Sequence, residues 1–277
     1  MKKLILIYII LFSKNLIAQD TFSIVAVDSI TGEVGSAGAS CVDMFTSGIS
    51  NNDFLSELIP NVGAINTQAY YITQNQVNAT NRMYMGDTPI QIIDWLLAND
   101  NQSSPEIRQY GIVALVNGSP QAAAYTGIYT DDYKNHIIGT NYAIQGNILL
   151  GQQVLDSMET RFINEKGDLT CKLMAALQGA NIEGADTRCT ANGTSSLFAF
   201  IKVAQPTDLF SSPSFNISVR THNNSNIEPI DSLQIMFNLE HNCSVVNFSE
   251  NFSERNIINV TDFLGREIKG NKNQPLI

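Results

Sequence analysis

The chain has no cluster of lysine or arginine, and its 26 acidic side chains outnumber 16 basic ones for a formal charge of −10. Gripping a phosphate backbone requires such clusters, so nucleic acid is not an expected partner, and the same acidity opposes adhesion to an anionic membrane surface. Long apolar runs are also missing. The run at residues 4–12 falls well short of the ~20 residues that a membrane-spanning helix needs. Cysteine is scarce, with Cys41, Cys171, Cys189 and Cys243 only, and none has metal-ligand spacing. No metal and no cofactor is expected.

What is present begins with an export pattern. Lys2 and Lys3 precede the apolar run, and Leu16-Ile-Ala18 sets small or apolar side chains where signal peptidase reads, so residues 1–18 read as a signal peptide. Its loss removes Lys2, Lys3 and Lys14 and takes the formal charge from −10 to −13. No cysteine follows the cleavage site, so a lipid anchor is not expected there. In an oxidising compartment four cysteines allow two disulfides, with three connectivities. Cys171 and Cys189 flank one segment and are the expected pair, with a loop-closure contribution of ~3 kcal/mol. Two buried free thiols are the alternative.

Hydrophobic residues make up 44% of the sequence, enough for a substantial core. Residues 22–28 and 33–40 read as strands joined by a turn at Ser29-Ile-Thr-Gly32, a hairpin close to the mature N-terminus. Residues 45–60 are polar and read as an irregular excursion, followed by a strand over 62–69. Thr88-Pro89 opens a helix to residue 98, with a capping threonine, proline at the first helical position and apolar residues at 90, 93, 96 and 97. Asn117-Gly118 between apolar runs marks a second hairpin over 109–126. Helices are expected after Leu150 to Phe162, over 169–178 and over 228–237, with strands over 195–204 and 215–221. Such an order predicts an α+β fold, most economically two stacked sheets with helices outside. From His241 the chain turns polar, giving a linker over 241–255 and an appendage over 256–277.

The segments TFSIVAVD, VGAINTQA, RQYGIV with AAAYTG, NYAIQGNILLG, GADTR and VRTH follow one another in the order of a known family. Across residues 21–238 the chain resembles domain-of-unknown-function family 1028, regarded as Ntn-hydrolase-like. The tail VTDFLGREIKGNKNQPL resembles the start of a type IX secretion C-terminal sorting domain. Relatives of that tail continue further, so an incomplete sorting domain is expected, with secretion machinery as its partner and the cell surface or medium as its destination. The family resemblance implies a four-layer α-β-β-α sandwich over residues 19–240 and an exposed N-terminal Thr, Ser or Cys as nucleophile.

That arrangement has a chemical reason. A free α-amine has a pKa near ~7.7–8.0, so at neutral pH it can take the proton from its own residue's hydroxyl. Thr21 is the candidate nucleophile, lying two residues past the expected cleavage, so Gln19 and Asp20 would have to be removed. The implied activity is hydrolysis of a small amide or peptide substrate through an acyl-enzyme. Ser40 ends the second strand of the first hairpin, and Cys41 stands where the family usually has lysine. Gln68, Gln145 and Asn147 offer amide donors for a substrate carbonyl or oxyanion, or else pair with loop backbone. Asp186 and Arg188 either orient their loop or take a substrate carboxylate. The alternative function is a non-catalytic cell-surface binding module with the same fold, and the polar excursion at 45–60 suggests a homo-oligomer.

Overall fold

The structure is a computed structural model that describes residues 21–51, 53–210 and 212–243. The expected signal peptide, the sorting tail and nearly all of the linker lie outside the described residues.

Phe22–Val27 (β1) and Val34–Ser40 (β2) form the expected hairpin, in register from Phe22 opposite Ala39 to Val27 opposite Val34. Asp28 Oδ1 accepts from the backbone nitrogens of Ile30 and Thr31, and Gly32 takes φ +77° to close the turn. The chain then builds Ser56–Ile59 (β3) and Gly63–Gln68 (β4), so a short strand stands inside the segment expected to be irregular. Two helices follow, Thr73–Tyr84 (α1) and Pro89–Ala98 (α2), the second opened by a complete Thr88–Gln91 capping box. Gln109–Val116 (β5) and Ser119–Thr126 (β6) turn at Asn117 and Gly118, whose φ values of 53° and 78° suit a tight hairpin.

Asn135–Ile138 (β7), Tyr142–Gly146 (β8), Gln152–Asn164 (α3), Leu169–Gly179 (α4), Phe198–Ala204 (β9), Phe215–Arg220 (β10) and Pro229–Glu240 (α5) complete the domain. One sheet runs β10-β9-β2-β1-β8-β7 and the other β3-β4-β5-β6, both antiparallel throughout. This is an α+β fold with two sheets. Leu155, Met158, Leu173, Leu177 and Leu233 of α3, α4 and α5 pack on the larger sheet. Ala79 and Met83 of α1 and Ile92, Ile93 and Leu96 of α2 pack on the smaller one.

Between the sheets the filling changes from one end to the other. Around the β1–β2 turn, Val25, Val27, Val34, Leu58, Ala64, Val113 and Ala143 make a dry core. At the opposite end, the same inward-facing rows continue as Ser23 on β1, Ser36 on β2, Asn66 and Gln68 on β4, Gly111 and Gln109 on β5, and Gln145 on β8. Burial of so many polar side chains is costly unless each is hydrogen-bonded. Most are: Ser36 Oγ donates to Asn66 Oδ1 at 2.8 Å, and Asn66 Nδ2 to the Ile24 carbonyl at 3.3 Å.

The disulfides differ from the expected pair. Cys171 is bonded to Cys243, and Cys189 to Cys41. The reason is geometric: Cys171 sits in the first turn of α4, and the chain must run down that helix before reaching Cys189, so closeness in sequence becomes separation in space. Two disulfides mark a protein that matures in oxidising surroundings. Among the described residues no helix is long and apolar enough to cross a membrane. Non-reducing peptide mapping should recover the 41–189 and 171–243 pairs. The first closes the longer loop, and its removal by Cys41→Ser with Cys189→Ser should cost up to ~5 kcal/mol.

Candidate functional site

Thr21 lies one step beyond β1, on the same side of the strand as Ser23, at the polar end of the inter-sheet layer. It is fully buried. One further step of the ladder puts it opposite Ser40 on β2, since Phe22 faces Ala39, and opposite Asn147 after β8, since Phe22 faces Gly146. Asn147 holds both backbone polar groups of Thr21: Asn147 N donates to the Thr21 carbonyl at 3.2 Å, and Thr21 N donates to Asn147 Oδ1 at 3.3 Å.

Gln68 reaches Thr21 from the other sheet. Its Nε2 donates to the Thr21 carbonyl at 3.0 Å and to Gln109 Oε1 at 2.7 Å, while its Oε1 accepts from Ser23 Oγ at 2.6 Å. Gln145 Nε2 in turn donates to Ser23 Oγ at 2.6 Å. Both hydrogens of Gln68 Nε2 are therefore engaged within the protein, and its role here is to hold the Thr21 carbonyl. Gln109 Nε2 carries the chain onward to the Gly146 carbonyl at 2.9 Å and to Thr126 Oγ1 at 2.9 Å. Thr126 Oγ1 then meets His136 Nδ1 at 2.8 Å. Burial lowers the His136 pKa, disfavouring the charged ring. Ser23, Gln109, Thr126 and His136 were not among the residues singled out from sequence.

Gln145 Oε1 is buried and has no hydrogen-bond partner among the described residues. It lies against Gly111, where an added Cβ would come within 1.9 Å of that oxygen. Gly111→Ala should therefore push Gln145 off Ser23 and cost about 1–3 kcal/mol, read as a lowered melting temperature with the fold retained.

Three residues around this network have left-handed backbones without being glycine: Ala69 at φ 54° and Tyr70 at φ 46°, directly after Gln68, and Ile148 at φ 53°, directly after Asn147. Such conformations cost on the order of 1–3 kcal/mol each and persist only where neighbours enforce them. Arg108 does so for the first turn. Fully buried, it donates to the Tyr70 carbonyl and to Asp100 Oδ2 at 2.9 Å. Asp100 also accepts from Asn75 Nδ2 at 2.6 Å and from the backbone nitrogens of Gln102 and Ser104. Burial alone would raise the Asp100 pKa, but the hydrogen bonds from Arg108, Ser104, Asn75 and Gln102 outweigh it and bring the value to about 2.

On the other flank, Asp186 and Arg188 form a two-pronged pair: Nε to Oδ1 at 3.0 Å and an Nη to Oδ2 at 2.6 Å. Asp186 also accepts from Cys41 N at 2.8 Å, and Arg188 reaches Ser40 Oγ at 3.3 Å. The Cys41–Cys189 disulfide pins the same loop to the end of β2. Thr21, Ser40, Gln68, Gln145 and Asn147 thus converge, with Asp186 and Arg188 orienting the loop beside Ser40.

Residues 21–229 match a family of unknown function, DUF1028, over most of the chain. The chain belongs to this family. Among solved structures, the crystal structure of protein SPO2555 from Silicibacter pomeroyi, described under the same family, is similar with a TM-score of 0.61 at 21% identity. The likeness covers 79% of this chain and 88% of that one, and at this identity it speaks for the fold alone. No curated protein matches the chain. The DUF1028 match opens on Thr21, the residue around which the polar network converges.

Proposed function

We propose that this DUF1028 chain is an exported amidohydrolase of the N-terminal-nucleophile type, with the four-layer arrangement of that class and Thr21 as the first residue of the mature protein. The observation that carries the reading is the hold on Thr21: its nitrogen directed to Asn147 Oδ1, and its carbonyl bonded by both Gln68 and Asn147. A nucleophile that is also the base must have its backbone held in place, and these three hydrogen bonds, from Gln68 of β4 and Asn147 just after β8, fix the nitrogen and carbonyl of Thr21.

After cleavage before Thr21, the peptide nitrogen becomes an amine with a lone pair. Asn147 Oδ1 accepts one of its hydrogens and leaves the lone pair available to the hydroxyl. The amine takes the hydroxyl proton as the oxygen attacks the substrate carbonyl, and the tetrahedral oxyanion collapses with return of that proton to the departing amine. Water then hydrolyses the ester on Thr21 with the α-amine again as base. The Arg188 guanidinium lies beside Ser40, on the edge where Cys41 replaces the family's usual lysine, and its charge is matched by Asp186. A substrate carboxylate near the scissile amide would compete with Asp186 for it.

A second reading, a binding module that kept the fold, is favoured by the engagement of Gln68 and Gln145 within the protein and by the pairing of Arg188 with Asp186. A hydroxyl-directed acylating probe separates the two. Protein beginning at Thr21 should be labelled once per chain and protein beginning at Gln19 should not. Absence of labelling from both, together with a ligand-dependent rise in melting temperature, would establish the binding module instead.

A further inference from the structure

Four side chains able to ligate a metal meet where the end of α5 reaches the start of α4, far in sequence from Thr21 and unused by the proposed function. Asp168 caps α4, accepting from Cys171 N at 3.0 Å. His241 follows α5, and its Nε2 lies 2.9 Å from Asp168 Oδ2. One ligand atom each of Asp168, Cys171 and His241 lies within 4.8 Å of the other two. Cys243, two residues past His241, is bonded to Cys171.

We propose that reduction of the Cys171–Cys243 disulfide opens a tetrahedral zinc site formed by Asp168, Cys171, His241 and Cys243. The same cluster then fastens α5 to α4 in two chemical forms, a disulfide in oxidising surroundings and a zinc ion in reducing ones.

Two thiolates, one imidazole and one carboxylate are a ligand set that zinc takes readily. Ligands at ~2.0–2.3 Å from a tetrahedral ion stand ~3.3–3.8 Å apart, so the three atoms already within 4.8 Å need only small side-chain movement. Cleavage of the disulfide lets the two sulfurs separate by rotation about their Cα–Cβ bonds. Cys171 is the third residue of α4, and a helix N-terminus stabilises a thiolate. The His241 ring is steadied by edge contacts with Phe215 and Phe237, at centroid distances of 5.7 and 5.4 Å. Both cysteines line a surface cavity of about 300 Å³, which gives reductant and ion a way in.

The chemistry balances with a thiol reductant. Two external thiols become one disulfide while Cys171 and Cys243 each gain one electron and one proton. Zinc then displaces those two protons, His241 binding neutral through Nε2 and Asp168 as carboxylate.

The test uses the full mature protein, reduced and freed of reductant without air, then titrated with Zn²⁺ against a chromogenic competitor. Reduced protein should bind one ion per chain and oxidised protein none. Cys171→Ser with Cys243→Ser should abolish binding, Cys41→Ser with Cys189→Ser should preserve it, and Asp168→Asn or His241→Ala should each weaken it about tenfold or more. Because a double variant can fail to fold, Co²⁺ titration of the reduced wild type gives a second reading, with tetrahedral d–d bands and sulfur-to-cobalt charge transfer expected. Failure of the reduced wild type to bind either ion would overturn the proposal. So would binding that follows Cys41 and Cys189, or affinity unmoved by Asp168→Asn and His241→Ala.

Discussion

Replacing Thr21 by alanine is expected to lower acylation by a hydroxyl-directed probe at least about 10³-fold, whereas Thr21→Ser retains it. Both variants keep the α-nitrogen, the Asn147 hydrogen bond and the carbonyl held by Gln68. Only alanine lacks the oxygen that forms the ester. Because the side chain adds little to the core compared with Phe22 and Ile24 beside it, both variants should fold and melt near the wild-type temperature. The readout therefore isolates chemistry from stability: equal labelling of Thr21→Ala and wild type would place the reactive hydroxyl elsewhere.

A large stability effect is expected at Arg108, not at the candidate nucleophile. Arg108→Met would leave the Asp100 carboxylate buried without its guanidinium and free the Tyr70 carbonyl that holds the strained turn after Gln68. Breaking a buried pair from one side costs about 3–5 kcal/mol, and for a domain of this size each kilocalorie lowers the melting temperature by roughly 2–4 °C. The double variant Arg108→Met with Asp100→Asn should recover part of the loss, because no charge is then stranded.

The pair also sets an acid limit. With a folded pKa of about 2 against an ordinary 3.8, Asp100 contributes stability that is fully present above about pH 4 and is lost as pH falls toward 2. Acid melts of wild type and double variant should converge across that window. Parallel curves would remove Asp100 from the account.

The parts of the fold that could be read from sequence are those with local causes. The β1–β2 and β5–β6 hairpins follow from turn residues that suit their backbone angles, and α2 follows from a capping threonine, a proline and an apolar stripe. α1 is different. Its core-facing positions include Asn75, Gln76 and Thr80, so no apolar period announces it, and its polar side chains bond to Asp100, Tyr110 and the Phe54 carbonyl instead. β3 is four residues within an Asn/Ser-rich stretch and owes its place to pairing with β4.

The same division holds at the site. Thr21, Ser40 and Asn147 are strand-end positions, and a hairpin register brings them level. Ser23 and Gln109 sit next to apolar strand residues and gain meaning only when the second sheet arrives, and Arg108 only when Tyr70 and Asp100 fold back onto it. The disulfides fail the local test most plainly, since Cys41 and Cys189 are 148 residues apart and Cys171 and Cys243 are 72 apart.

The central claim is that Thr21 becomes the N-terminus, and intact-mass analysis of the protein recovered from its native host tests it most directly. A mass beginning at Thr21, with two fewer pairs of hydrogens than the fully reduced chain for its two disulfides, is the predicted result. A homogeneous start at Gln19 would contradict it, because the Thr21 nitrogen would then remain an amide without a basic lone pair, unable to take the proton from its own hydroxyl.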